Sequence, residues 1–306
     1  MIDRALVTIG LPVYNAAPFL KDTLRSIFAQ TFSDWELVVV DDGSSDGSIE
    51  IAREIVDDRV RILPRDGKRR GLAVRLNQIA EAARGNYLAR MDSDDLMHPH
   101  RIEAQLAYLK AHPSVDLLGC GLLMVDAAMR PVAEIINPAN HGGICADPVR
   151  GVRLAHATMM ARTEWFRAHP YEERNFRCED WRLLYTSRGN SRLANLPEPL
   201  YFYRVFESFS LHKYAAHKLR NLRLWCELPR AECSWARLAH LAARSFVDIG
   251  IFGVARALGS HGGLIARRGI PVGANTAEEF WTALQTIRAT ELPQSAKRKE
   301  SQFTAD

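Results

Sequence analysis

Residues 87–95 read YLARMDSDD. An apolar run breaks directly into three carboxylates, Asp92, Asp94 and Asp95, within four residues. Apolar runs of this length suit strands buried inside a sheet. Charge at such a strand's end belongs to the edge of the sheet, where the chain turns. Two carboxylates two positions apart at that turn, Asp92 and Asp94, can both reach one hard cation or its bound water. Oxygen ligands suit Mg²⁺ or Mn²⁺, which bind through one or two carboxylates and complete their sphere with substrate phosphates. The competing reading is a solvated turn with Asp95 capping the next helix.

Working outward, the same pattern repeats. LVTIGL (6–11), ELVVV (36–40), VRIL (60–63) and VDLLG (115–119) read as further strands. Helical faces alternate with them. Leu20, Leu24, Ile27 and Phe28 follow Pro18 at helical spacing. Ile51, Ala52, Ile55 and Val56 form a second face, and Leu72, Leu76, Ile79 and Ala83 a third, closed by Gly85. Ile102, Leu106 and Leu109 form a fourth after Pro99. Strand–helix alternation predicts an α/β fold with mostly parallel strands and right-handed crossovers. Ligands of such sheets sit beyond the carboxyl ends of the strands. Three of those ends are chemically loaded: LPVYN (11–15), DDGSSD (41–46) and MDSDD (91–95).

After about Gly119 the alternation stops. GLLMVD (121–126), HATMMAR (156–162) and PLYFYR (199–204) read as strands. EDWRLLY (179–185) opens a helix with Trp181, Leu184 and Tyr185 on one side. Residues 213–258 read as helical, 259–269 as glycine-rich, and 278–289 as a short helix. The division is 1–118, 119–210, a helical extension over 211–292, and a polar, disordered tail over 293–306.

Composition narrows the class. Of 306 residues, 47% are apolar and 25% charged, ordinary values for a soluble globular protein. Five cysteines without a CxxC pair argue against a disulfide framework and a thiolate zinc site. The N-terminal apolar run is too short for a signal peptide. The best candidate span, FVDIGIFGVARAL (246–258), is shorter than the about 20 residues a membrane needs, and it carries Asp248 and Arg256. An integral membrane protein is therefore not expected. The net charge of +4 is unevenly placed: residues 211–270 hold ten Lys/Arg against three Asp/Glu. Trp225, Trp235, Phe246 and Phe252 lie among those arginines. They either pack these helices onto the rest of the chain or rest on a membrane surface. No signature of a nucleic-acid-binding fold accompanies the basic stretch.

The run VTIGLPVYNAAPFLKDTLRSIFAQTFSDWELVVVDDGSSD, followed by GLAVRLNQIAEAARGNYLARMDSDD, resembles the nucleotide-sugar-binding half of a family 2 glycosyltransferase with the GT-A fold. The resemblance is continuous over residues 7–118. HATMMAR and CEDWRLL extend it, less tightly, to about Arg204. It implies a Rossmann-like sheet flanked by helices, and transfer of a sugar from a nucleotide-diphosphate donor, UDP-linked by preference, to an acceptor hydroxyl. The acceptor would be a saccharide or lipid-linked saccharide of a cell-surface polymer. The chain would then be cytoplasmic, with peripheral contact at the inner face of the cell membrane.

Roles follow position by position. Pro12, Tyr14 and Asn15 match the first nucleotide-contacting loop. Asp42 matches the aspartate that pairs with uracil, with Asp41 supporting its loop. Arg70 and Asn77 lie in the stretch bordering the donor. Asp92, Ser93 and Asp94 match the Asp-x-Asp motif, with Asp94 as direct ligand of Mn²⁺ or Mg²⁺, Asp92 on ribose, sugar or metal, and Asp95 as a second metal contact. His156 begins a segment like the family's His-Pro-Thr strand, with Ala157 where proline is common, near diphosphate, metal or acceptor. In CEDW, Asp180 matches the general base and Glu179 is the alternative, although acidic residues also favour helix N-termini for electrostatic reasons. Two rivals differ in class. A sugar nucleotidyltransferase would carry a glycine- and arginine-rich phosphate loop, which LPVYNAAPFL lacks. A non-catalytic nucleotide-sugar scaffold would be free to lose the carboxylates that this chain keeps.

Overall fold

A computed structural model describes residues 6–173, 178–205, 211–257 and 269–294. Among these, nine strands form one sheet in the order β3-β2-β1-β4-β8-β6-β9-β5, with β7 on β6. β1 (Val7–Val13), β2 (Trp35–Asp41), β3 (Val60–Ile62) and β4 (Tyr87–Arg90) are mutually parallel. The crossovers α1 (Ala17–Phe28), α2 (Ser48–Arg53) and α3 (Leu72–Ala82) join them. Every residue of β1 and β2 is buried, as strands covered on both faces must be. The chain runs from β1 outward to β2 and β3, then returns to β4 on β1's other side. That reversal opens a crevice beyond the carboxyl ends of β1 and β4.

β1 runs past the apolar stretch to include Pro12 and Val13, although proline is rare in central strands. The register explains it. Gly10 O accepts from Met91 N, on the β4 side, while Val13 O accepts from Asp42 N, on the β2 side. In a parallel strand these sides alternate, so the nitrogen of Pro12 faces the side where β4 has already ended at Arg90. No ladder bond is lost.

The second half completes the sheet in mixed orientation. β5 (Leu96–Met97) leads into α4 (Arg101–Ala111), and β6 (Leu117–Val125) pairs with β7 (Pro131–Ile135), a strand absent from the sequence reading. The two predicted strands at 115–119 and 121–126 are this single β6, kept continuous by a register shift between Cys120 and Leu122. The predicted strand at 156–162 splits into a 3₁₀ turn (His156–Thr158) and β8 (Met160–Arg162). α5 (His141–Ile144), α6 (Thr163–Ala168) and α7 (Glu179–Ser187) flank it, and β9 (Leu193–Arg204) runs parallel to β6. The sheet thus continues unbroken from the first stretch into the second.

The predicted helix 213–258 is two helices, α8 (Leu211–Glu227) and α9 (Trp235–Ala257), parted at Pro229. α10 (Ala274–Ala289) follows, and its Phe280 packs edge-on against Phe202 of β9. The first two residues of the expected tail are held. Val56 N donates to Pro293 O at 2.8 Å, and Gln294 bridges to Ile55. The rest of that tail, and the glycine-rich stretch apart from Gly269, lie outside the described residues. All five cysteines are free.

Gly85 sits where α3 hands over to β4, against β1. A Cβ there would lie 2.5 Å from Thr8 N and 2.8 Å from Val7 C, both backbone atoms with little room to yield. Gly85→Ala is therefore expected to lower the unfolding free energy by about 1–3 kcal/mol, the usual cost of overpacking, as read from urea denaturation.

Candidate active site

The crevice at the strand reversal is a cavity of about 280 Å³. Pro12, Val13 and Tyr14 line it from the end of β1, Asp42 from just past β2, Asp92, Ser93 and Asp94 from the turn after β4, and Glu179 from α7. Arg69, Gly71, Leu72 and Arg75 close the remaining wall. Tyr14 is 39% exposed, and the Arg69 guanidinium lies 4.1 Å from its ring centroid.

Two aspartates after β2 take different tasks. Asp41 accepts from the backbone N–H groups of Gly43 and Ser44 and pairs with Arg65 Nε at 2.6 Å. It shapes its own turn. Asp42 faces the cavity. Its Oδ1 accepts from Arg70 N (2.7 Å), Gly71 N (3.0 Å) and Arg75 Nε (2.9 Å), while among the described residues Oδ2 receives only Gly71 N, at 3.1 Å. A carboxylate offers about four acceptor sites, so Oδ2 retains capacity on the cavity side. Burial opposes the charge of Arg75, yet Asp66 and Asp42 together hold its pKa above the ordinary value. Asn15 sits at φ 48°, a left-handed conformation asparagine tolerates. It ties the β1 and β2 loops: its N–H donates to Ser44 Oγ, and its side-chain oxygen accepts from Ser45 N.

The carboxylates after β4 also divide. Arg90, 4% exposed, donates through Nη2 to Asp92 Oδ1 at 2.7 Å and through Nη1 to Oδ2 at 3.3 Å. Asp95, 1% exposed, accepts Tyr201 OH (2.9 Å) on one oxygen and Arg204 N (2.7 Å) on the other. Burial, then the charges of Asp94 and Asp92, push its pKa well up. Asp94 faces the cavity, and its pKa is raised to about 6 by burial first and by Asp92 second. The turn itself is pinned by Thr23 of α1, whose hydroxyl donates toward the carbonyls of Asp95 (2.8 Å) and Ser93 (3.0 Å).

Four residues from the sequence reading sit differently from expectation. Asp95 is buried, accepts from Tyr201 OH and Arg204 N, and does not line the cavity. His156 meets Tyr171 OH at 2.8 Å through Nε2, burial together with Arg90 pushes its pKa well down, and it does not line the cavity. Asn77 exchanges two hydrogen bonds with the backbone of Tyr171 and does not line the cavity. Arg70 turns its side chain to Asp66 at 2.6 Å and contributes only its backbone N–H, and the cavity wall is built instead by Arg69 and Arg75. Of the two acids that open α7, Glu179 lines the cavity. Asp180 does not, although its charge is felt by Arg90 and Tyr171.

Arg75, Arg90 and Tyr201 went unread in the sequence, and two left a signal. Arg75 shares a helical face with Leu72, Leu76 and Ile79, and Arg90 interrupts an apolar strand. A charge on an apolar face implies a buried partner, and both have one.

Among the described residues, no three His, Cys, Asp or Glu side chains form a metal cage. Asp94, with Asp92 beside it, nevertheless fits a hard cation. Asp92 is paired with Arg90, so the cavity-facing Asp94 is the carboxylate left to offer its charge to an ion that takes its other ligands from a phosphate.

Comparison with known proteins bears on the same residues. The model of the family described as glycosyl transferase family 2 matches residues 8–121. A Bacillus subtilis protein named as the glycosyltransferase EpsE is 33% identical over 204 residues, which is 64% of this chain and 71% of EpsE. The chain belongs to glycosyltransferase family 2. This glycosyltransferase is also 33% identical, over 108 residues, to the Escherichia coli enzyme WfgD, covering 35% of this chain and 42% of that one. WfgD is named as a UDP-Glc:α-D-GlcNAc-diphosphoundecaprenol β-1,3-glucosyltransferase, so that relative acts on a lipid-linked saccharide. Two solved structures share the fold. TarS of S. aureus, in complex with UDP, superposes with a TM-score of 0.55 at 18% identity, covering 92% of this chain and 79% of TarS. The mannosyltransferase PcManGT of Pyrobaculum calidifontis, solved with GDP-Man and Mn²⁺, gives 0.55 at 18% identity, covering 94% and 86%. The GT-A architecture expected from the sequence is therefore the one observed.

A carboxyl whose pKa is raised by folding stabilises the fold only while protonated. The contribution of Asp94 is complete below its unfolded value of 3.8 and is lost as pH rises through about 6. Asp94→Asn is thus expected to make the metal-free protein more stable at pH 7.5, by up to about 3 kcal/mol, with the gain vanishing near pH 4. Chemical denaturation in chelator at both pH values measures it.

Proposed function

We propose that this glycosyltransferase moves a sugar from a UDP-sugar to a hydroxyl of a lipid-linked saccharide at the inner face of the cell membrane, with inversion at the anomeric carbon. One observation carries the reading. A single cavity is bordered by a base-type acceptor, Asp42 Oδ2, and by the carboxylates Asp92 and Asp94. Asp42 follows β2 and the pair follows β4, with β1 between them. Two strand spacings of about 4.8 Å set them about 10 Å apart, the span of a nucleoside from base edge to phosphate. The complexes of TarS with UDP and UDP-GlcNAc, and of PcManGT with GDP-Man and Mn²⁺, support a donor and a divalent ion of this class. WfgD supports the acceptor class.

The chain's own groups divide the work. Asp42 Oδ2 accepts the imide N–H of uracil, and Tyr14 with Arg69 walls the base. Arg90 holds the Asp92 carboxylate in one orientation, which leaves Asp94 to meet the cation. Asp94 and Asp92 would hold Mn²⁺ or Mg²⁺, which stabilises the negative charge of the departing diphosphate. Asp180 takes the proton of the attacking hydroxyl, and Glu179, on the cavity wall, contacts the donor side. A positioned base is worth about 10²–10⁴ in rate.

Three measurements test this. UDP is expected to bind only with Mn²⁺ or Mg²⁺ present, and Asp94→Ala to abolish that binding. Metal-independent binding of UDP, or retention in the variant, would sink the metal assignment. Asp42→Asn is expected to weaken UDP by at least about tenfold, because its amide presents a donor where the base also donates. In transfer assays, Asp180→Asn should cut kcat by about 10²–10⁴ at unchanged donor KM, whereas Glu179→Gln should act mainly on donor KM. The reverse pattern would move the base to Glu179.

A further inference from the structure

Of the basic segment's aromatics, Trp225, Trp235, Phe246 and Phe252 divide evenly. Trp225 is buried, and its indole N–H donates to Val149 O. Phe252 is buried and stacks on Tyr214 of α8 with centroids 4.5 Å apart. Trp235 and Phe246 are 70% and 61% exposed. They are joined on α9 by Val247, Ile251 and Val254, each more than half exposed. At 100° per residue these five fall on one side of the helix, opposite the buried Leu238, Leu241, Ser245 and Phe252. α9 therefore carries apolar surface on its outward face as well as its inward one. By length and composition it is also long and apolar enough to cross a membrane, a possibility that the shorter stretch 246–258 did not reveal.

We propose that the outward face of α9 lies flat on an anionic lipid surface. The proposal rests on the reading of a lipid-linked acceptor given above and identifies the surface that brings the enzyme to it. Three observations select this occupant. First, α9 is fastened along its length. Leu238 and Leu241 pack with Tyr185, Trp225 and Val149 of the rest of the chain, and Lys218 of α8 pairs with Asp248 at 2.5 Å. A helix crossing the bilayer would have to surrender those contacts, whereas one lying in the interface keeps them. Second, every acidic side chain of α8, α9 and their connection is paired with a cation: Glu227 with Arg182, Glu232 with Arg188, and Asp248 with Lys218. Arg223 and Arg244 stand exposed. The charge offered outward is therefore positive, matching anionic headgroups. Third, Trp235 stands at the start of the helix with the Arg230 guanidinium 4.4 Å from its ring centroid. An aromatic body beside a cation suits the headgroup boundary. A second copy of the chain on this face would bring like-charged arginine edges together.

Co-sedimentation of the full chain with vesicles tests this, using phosphatidylcholine alone and with added phosphatidylglycerol. Binding is expected with the anionic vesicles and to weaken with salt. The double substitution Phe246→Ser/Val254→Ser should lower the partition coefficient by at least about tenfold. Arg223→Glu/Arg244→Glu should remove the preference for phosphatidylglycerol. UDP binding, measured on every variant, reports an intact fold and should not change. Absence of binding to anionic vesicles, or binding that survives the apolar substitutions, overturns the proposal. So does a dimer in solution that those substitutions dissolve. If vesicle binding fails while UDP binds, only the docking surface is lost. If vesicles bind and UDP does not, the donor-site reading fails instead.

Discussion

The buried carboxylate of Asp95 fastens the two halves of the catalytic sheet to each other. It belongs to the turn after β4, and both of its partners, Tyr201 OH and Arg204 N, belong to β9. With 1% of its surface exposed, it has no solvent to turn to, so the turn after β4 and the end of β9 must meet. The same hydroxyl of Tyr201 accepts from Asp92 N, at 3.2 Å. Thr23 pins the turn from the opposite side through α1. Once that turn is set, Asp94 has one direction left to face, and it is the cavity.

A second constraint follows from so much negative charge at the ends of buried strands. The chain answers with arginines placed inside rather than outside. Arg90 takes Asp92, Arg75 takes Asp42 and Asp66, and Arg65 takes Asp41. Arg101, fully buried, donates to the carbonyls of Arg90 and Ala157 beneath the site. Asp94 is paired with no arginine among the described residues and faces the cavity, and burial, then the charge of Asp92, raise its pKa. The positive charge missing at that one position is what the proposed divalent cation would supply. In α8 and α9 the balance is reversed. The acids of α8 and α9 are all paired and exposed arginines remain, beside an apolar face.

Much of this was legible in the chain, and for stated reasons. Buried parallel strands are apolar throughout, so β1, β2 and β4 announce themselves, and their loaded ends mark the crevice. Tyr14, Asp42, Asp92 and Asp94 line it as read. For two of the residues that sit away from expectation, the partner is distant in sequence. Asn77 and Tyr171 are 94 residues apart, Asp95 and Tyr201 are 106. Nothing local distinguishes an aspartate that meets a metal from one that meets a tyrosine. β7 was missed because its partner strand alone makes it a strand, and β6 was halved because Gly119 and Gly121 read as breaks, although glycine is what lets β9 approach there. A Cβ on Gly121 would lie 2.5 Å from Pro197 O.

Periodicity and order along the chain were enough for the α/β class, the parallel core, the place of the site and the family, because hydrophobic alternation and motif spacing are local properties that no tertiary contact can rewrite. The assignment of individual charges was not. Which donors meet Asp92 and Asp95, which hydroxyl meets His156, and which of Trp225, Trp235, Phe246 and Phe252 look outward depend on what the fold carries to each group. A buried polar atom takes the partner that packing brings to it, and packing is decided across the whole sheet.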